Sequence, residues 1–445
     1  MTHVFHRAPH ADLPLADRGD GIWIVDRDGK RYIDASGGAA VSCLGHSNAR
    51  VIAAIQAQAE RLSFAHTGFF TNAPMEALAD ELVAHAPGAL DKVYFVSSGS
   101  EAVEAALKLA RQFHVERGAP SRRFFISRRQ SYHGNTLGAL AVGGNFWRRA
   151  PFEAILAPGV RHISPCYAYR FQAEGESDEA YGRRAADELE NAILDLGAEN
   201  VAAFICEPVV GATLGAVPPA PGYFRRVREI CDRHGLLLIF DEVMCGMGRT
   251  GTLHACTQDG TAPDILCIAK GLGAGYQAIG ATLCTRQIFD AIVGGSGYFQ
   301  HGQTYVGHAV ACAAALEVQR VIREDNLLDN VRRQGAVLET ALTERFGNHR
   351  HVGDIRGRGL FQAIELVKNR TTKEPFDGSL KLAARIKQQA MTRGLICYPM
   401  GGVVDGKSGD HAMLAPPFIV AEKDIRDIVD RLGGAVEAAL LDIGA

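Results

Sequence analysis

Four short apolar runs in this chain end on residues that can do chemistry. DILCIA stops at Lys270, LLLIF at Asp241, AAFIC at Glu207, and VYFV at Ser97-Ser98-Gly99-Ser100. The lysine needs a reason to be there, because an unpartnered ammonium is costly to bury and most lysines are solvated. Each residue type offers one. A lysine amine can attack a carbonyl carbon and, once desolvated, can shuttle protons. A nearby acid can hold a fixed negative charge. A helix that begins at the serines presents free N–H groups and the positive end of its dipole, which together form a phosphate site.

The surrounding pattern supplies the elements that would position these groups. GIWIVDRDGKRYIDAS alternates apolar and polar residues around an RDGK turn and predicts a hairpin. From about residue 92 to 310, strand-length runs (KVYFV, VAAFIC, LLLIF, DILCIA, AIGATLC) alternate with helical stretches. In SEAVEAALKLAR, Ala102, Ala105, Ala106 and Leu109 share one helical face; in PGYFRRVREICDRHG, Phe224, Val227, Ile230 and Cys231 do the same before a stop at Gly235. This alternation predicts an α/β fold built on a parallel sheet covered on both faces. In such sheets ligands bind outside the carboxyl ends of the strands, where the four polar endings fall. Beyond about residue 325 the chain is more charged and helical, which predicts a smaller α+β domain.

Taken singly, each residue has a plainer explanation: Ser100 as a helix cap, Asp241 as a surface or capping carboxylate, Glu207 as a cap on backbone N–H groups, KGLGAG as a tight loop. A dinucleotide fingerprint would need a third glycine opening a helix, and YQAIGATLC follows instead. Together, a helix-start phosphate site, an acid and a lysine at strand ends point to a phosphorylated aldehyde cofactor held covalently, with pyridoxal 5'-phosphate the obvious case. Lys270 would form the Schiff base, and Asp241 would keep the pyridine nitrogen protonated.

Composition agrees with an enzyme acting on small molecules. Of 445 residues, 47% are hydrophobic and 22% charged, and 47 basic residues stand against 50 acidic ones, so neither a nucleic-acid nor a membrane-surface footprint is expected. No signal-like or membrane-spanning run is seen, which predicts a cytoplasmic protein. The ten cysteines form no CxxC and read as reduced thiols, neither metal ligands nor disulfides.

Across nearly its whole length the sequence resembles the class III aminotransferases, pyridoxal-phosphate enzymes of the aspartate aminotransferase fold type. The resemblance rests on GGAAVSCLGH, SSGSEAVEAALKLAR, SYHGNT, FICEPVVGA, IFDEVMCGMGRTG, IAKGLGAG, HGQTYVGHAVACAAAL and APPF, with the lysine 29 positions after the aspartate. It implies fold type I: a large domain with a mostly parallel sheet over residues 66–325, and a small α+β domain assembled from residues 1–65 and 326–445. It also implies that Lys270 and Asp241 are catalytic, and that Ser98, Gly99 and Ser100 hold the phosphate. Tyr132 would stack on the cofactor with His133 beside it, Val243 would cover the opposite ring face, and Glu207 would lie nearby. Thr304 would reach the cofactor of a neighbouring subunit, which implies a homodimer with shared active sites, with tetramers left open.

One feature departs from the family pattern. Many members carry an arginine shortly before the late proline pair to grip a substrate carboxylate, whereas GGVVDGKSGDHAMLAPPF has only Lys407. A lysine lacks the planar fork that fixes a carboxylate. Ala40, Phe69 and Phe70 fall in segments that line the substrate entrance in relatives, although core packing explains the phenylalanines equally well. The expected reaction is transfer of an amino group from an ω-amine or ω-amino acid to a keto acid such as pyruvate by a ping-pong cycle. A decarboxylating transaminase or an aminomutase on the same fold, and more remotely a non-catalytic or nicotinamide-binding α/β protein, remain as alternatives.

Overall fold

The computed structural model describes residues 3–445. Its centre is a seven-stranded sheet with the order Leu90–Val96, Gly280–Thr285, Ile265–Ile268, Leu237–Asp241, Val201–Cys206, Phe124–Arg128, Val160–Ile163. Val201–Cys206, Leu237–Asp241 and Ile265–Ile268 are buried at every position, as strands covered on both faces must be. Alternate residues enter two separate cores. Phe204, Leu238, Phe240, Leu266 and Ile268 pack with the helices Asp178–Leu196 and Tyr223–His234. Ile205, Ile239, Ile265 and Cys267 pack with the helix Gly99–Glu116 through Ala102, Ala106 and Leu109. The stripe Phe224, Val227, Ile230, Cys231 is buried, and its helix ends at Gly235 in the left-handed conformation, φ 65°.

The sheet is not wholly parallel. Gly280–Thr285 runs antiparallel to both neighbours. Its physical cause is the connection 269–279, which carries only a short turn and no covering helix, so the chain folds back as antiparallel strands can and parallel ones cannot. Register then brings the strand ends together. Cys206 pairs with Phe240, Asp241 with Cys267, and Val96 with Gly280. Glu207, Asp241 and Lys270 therefore sit at or just beyond the same edge, with Ser97 following Val96 along it.

The two ends of the chain meet. The N-terminal strands Ala16–Asp20, Trp23–Asp26 and Arg31–Asp34 form the expected hairpin and one further strand, and Leu395–Ile396 joins them in parallel. A four-stranded antiparallel sheet has the order Val352–Arg358, Phe361–Leu366, Asp410–Leu414, Tyr398–Gly401. Ile22, Ile33 and Val51 share one core with Leu338, Ile364, Leu395 and Ile425. The ten cysteines are buried and unpaired. Among the described residues no helix is long and apolar enough to cross a membrane.

Candidate active site

A cavity of about 410 Å³ opens at the carboxyl edge of the central sheet. Ser97 to Ser100, Tyr132, His133, Glu207, Asp241, Val243 and Lys270 all line it. Lys270 makes no side-chain hydrogen bond or ion pair among the described residues, although Asp241 and Glu207 share its cavity. Burial of its ammonium lowers its pKa from the ordinary lysine value, against the opposing pull of Asp241 and then Glu207. The result is an unengaged amine with an increased free-base fraction.

The two acids are held differently. Asp241 is 4% exposed. One carboxylate oxygen accepts from the Val243 amide (3.0 Å), and the other from His133 Nδ1 (2.7 Å). His133 Nε2 is buried without a partner. With three positions of the pair satisfied, the aspartate cannot turn away from the cavity. Glu207 accepts from the Tyr132 amide (3.1 Å) and the Gly211 amide (2.9 Å), so it does cap backbone N–H groups while lining the cavity. Burial pushes its carboxyl above the ordinary value, with His133 and these amides pulling the other way.

The serines form the start of a helix. Ser98 is the N-cap of Gly99–Glu116, its Oγ accepting from the Glu101 amide (3.3 Å), and Glu101 in turn accepts from the Ser97 amide (2.6 Å). The amides of Gly99 and Ser100 have no acceptor among the described residues, leaving two donors and a helix dipole directed at the cavity. Gly99 is required by closeness: a Cβ there would stand 2.6 Å from Val243 Cγ1. Ser100 Oγ accepts from the Asn135 amide (3.0 Å), and Asn135 Nδ2 donates to the Tyr132 hydroxyl (3.0 Å), so the helix start and the Tyr132 wall are one network.

Five other sequence-selected residues lie outside this constellation. Ala40 is buried beside it, in a cluster with Met244, and its neighbour Val41 lines the cavity instead. Phe69 and Phe70 are 82% and 67% exposed, and Thr304 is exposed in a turn; none lines the cavity. Lys407 is exposed and does not line it either. Sequence reasoning missed Met244, Gln277 and Ile279, which complete the walls. Met244 was within reach as the residue after DEV; Gln277 and Ile279 carry no signal beyond following the glycine turn.

The model of the class-III aminotransferase family matches residues 6–436. The chain belongs to the class-III aminotransferases. It is 42% identical to an uncharacterized aminotransferase of Schizosaccharomyces pombe over 443 residues, covering 99% of this chain and 96% of that one. Among solved structures, the omega transaminase from Pseudomonas jessenii in complex with PMP superposes with a TM-score of 0.92 at 34% identity, covering 100% of this chain and 97% of that one. An amine transaminase from an uncultivated Pseudomonas species in its PLP-bound form gives a TM-score of 0.92 at 36% identity, covering 99% of each chain. As a class-III aminotransferase the protein has the fold type I architecture expected of it, and the single antiparallel strand belongs to that architecture.

Proposed function

We propose that this aminotransferase uses pyridoxal 5'-phosphate to move an amino group from an ω-amine or ω-amino acid to a keto acid, with pyruvate as the natural acceptor. The observation that carries the reading is the unengaged Lys270 amine, facing Asp241 in a cavity whose other end is a helix start with two free amides. The donor set fits the cofactor: amides of Gly99 and Ser100 with Ser100 nearby for a phosphate, Asp241 for a ring nitrogen, Tyr132 and Val243 for two ring faces, Lys270 for the aldehyde. When bound, that cofactor supplies an electron sink that weakens the bonds at the amine-bearing carbon of the substrate.

The chain's own residues do the remaining work. Lys270 Nζ, its hold on a proton weakened by burial, accepts the proton from the donor's carbon and returns it on the other side of the reaction. Asp241, locked by His133 and the Val243 amide, keeps its carboxyl group fixed in the cavity wall. The walls formed by Val41, Met244 and Ile279 present apolar surface that suits an apolar donor. The absence of an arginine between residues 401 and 418 favours ω-amines over α-amino acids held by that segment.

The reading includes a homodimer. The exposed Phe69, Phe70 and Thr304 would complete the cavity of a second copy, which accounts for two large phenylalanines left in water. The test is the absorption spectrum of the cofactor-loaded protein before and after adding ω-amines, ω-amino acids and α-amino acids without an acceptor. Bleaching of the near-visible band by long ω-amines but not by glutamate is the expected result. A protein that takes up no cofactor overturns the mechanism, and a preference for glutamate overturns the donor class.

A further inference from the structure

The sequence FWRRAP places two arginines side by side, and the structure uses them differently. Arg149 is committed to the fold: its guanidinium donates to the carbonyls of Ala141 and Gly143 (3.1 Å each) and pairs with Glu153 (3.1 Å). Arg148 has no carboxylate partner among the described residues. Its guanidinium lies 5.0 Å from the centre of the Tyr132 ring, its Nη2 makes only a 3.8 Å contact to Met400 Sδ, and its Nε is buried without an acceptor. Tyr132 is a wall of the active-site cavity. Met400 packs on the cluster that contains Met244, another wall. A half-buried guanidinium whose Nε has no acceptor therefore stands against the Tyr132 wall, although Arg148 does not itself line the cavity.

A second cation adds to it. Arg7, exposed and also without a carboxylate partner among the described residues, carries a charge that, like that of Arg148, works against the upward shift that burial imposes on the Tyr132 hydroxyl. This region is built from the segments around 7, 146–149 and 398–401, whereas the phosphate cradle is built from 97–100 and reaches Tyr132 through Asn135. The two anion-attracting regions are thus on different elements. A guanidinium held over an aromatic face keeps its planar donors available for bidentate pairing with a carboxylate.

We propose that Arg148, assisted by Arg7, binds the carboxylate of the keto acid acceptor, in place of the arginine missing between residues 401 and 418. The inference rests on the aminotransferase reading for the identity of the acceptor, but the anion site itself does not need turnover to be seen. A charge-assisted pair of this kind accounts for about a 10- to 100-fold difference in affinity when one partner is removed.

The experiment compares the cofactor-loaded wild type with Arg148→Gln and Arg148→Lys. Propionate, which cannot react, is titrated calorimetrically, and kcat/KM is measured for pyruvate and for an uncharged aldehyde acceptor. In Arg148→Gln, propionate affinity falls about 10- to 100-fold, and the preference for pyruvate over the aldehyde falls by a similar factor through KM; Arg148→Lys lies between it and the wild type. Thermal melting and the affinity for pyridoxal 5'-phosphate identify a variant that has merely lost its fold, and Arg148→Lys then decides the matter. Unchanged propionate binding, a wild type that does not bind propionate, or equal loss with both acceptors overturns the proposal. If the wild type transfers no amino group to either acceptor, the acceptor reading fails by itself, and the propionate titration still tells whether Arg148 is an anion anchor.

Discussion

Gly280→Ala tests the anion cradle from behind, through the backbone, without touching a residue that would meet the ligand. Gly280 opens the strand Gly280–Thr285 and pairs with Val96. A Cβ added there would stand 2.6 Å from the carbonyl oxygen of Ser98 and 2.9 Å from its carbon, whereas ordinary contact begins near 3.4 Å. Ser98 must therefore retreat by most of an ångström. Because Ser98 is the N-cap of Gly99–Glu116, the free amides of Gly99 and Ser100 move with it. A charge-assisted hydrogen bond is worth about 1.5–3 kcal/mol, so loss of one weakens pyridoxal 5'-phosphate binding about 10- to 100-fold. The overpacking separately costs about 1–3 kcal/mol of stability. The assay is a spectrophotometric titration of the apoprotein with pyridoxal 5'-phosphate and with unphosphorylated pyridoxal, alongside a thermal melt. Gly294→Ala is the control, since a Cβ there meets nothing within 4 Å. The phosphorylated ligand should lose far more affinity than pyridoxal. Equal losses, or a lower melting temperature with unchanged affinity, would refute the idea that this helix start holds the phosphate.

Lys270→Ala removes the proton carrier, so turnover falls by about 10²–10⁴-fold from that effect alone, and an added primary amine of suitable size should restore part of it; a variant with near-normal turnover would sink the assignment. The rate of the amine half-reaction should rise with pH as Lys270 loses its proton, with an inflection below the ordinary lysine value because burial lowers it. The negative charge of Glu207 opposes that lowering, so Glu207→Gln should move the inflection to still lower pH; movement to higher pH in stopped-flow measurements contradicts the electrostatic picture. Glu365→Gln should destabilise the fold by about 3–5 kcal/mol in denaturant titrations. Glu365 is fully buried, and it pairs with Arg170 (Nε to Oε1, 2.8 Å) and Arg356 (Nη1 to Oε2, 2.6 Å) and accepts from Tyr167, so neutralising it leaves Arg170 without a carboxylate and Arg356 with Asp354 alone (2.8 Å). A loss below 1 kcal/mol would show that the arginines find other acceptors.

The strands that carry the active site were legible because being buried on both faces makes them unbroken apolar runs. The last two strands on one side of the sheet were not. Phe124–Arg128 ends in a buried arginine, and Val160–Ile163 carries Arg161 and His162, so neither looks like a core strand. Arg128 is tolerated inside because its Nη2 donates to the Glu207 carbonyl, a partner 79 residues away that no local pattern shows. The direction of Gly280–Thr285 was hidden for a related reason: an apolar run does not state its orientation, and only the short connection before it does. Lys270, Asp241, Glu207 and the serines were readable as polar endings of apolar runs. Arg148 was not, since it follows no such run and is brought to Tyr132 by the fold of residues 143–149.

The glycine turn after the lysine has a packing role and not a phosphate-binding one. Lys270 has φ 47°, left-handed backbone that costs a non-glycine residue about 1–2 kcal/mol. That conformation persists because the turn is fixed from several sides. The Lys270 carbonyl accepts from the amides of Gly273 (3.1 Å) and Ala274 (2.9 Å), Gln319 Nε2 donates to the Leu272 carbonyl (3.2 Å), and Leu272 is fully buried. Gly271 and Gly273 allow the close approach: a Cβ on the first would stand 3.0 Å from Met247 Cβ, and on the second 2.7 Å from the Gln277 carbonyl oxygen. Met247 comes from the loop after Asp241, and Gln277 is itself a wall of the cavity. The strained turn thus ties the lysine to the aspartate loop and to the cavity wall in one rigid unit, which keeps the amine on target when nothing bonds to it. A flexible lysine at the same strand end could turn back and pair with Asp241 or Glu207, and the free base that the chemistry needs would be lost.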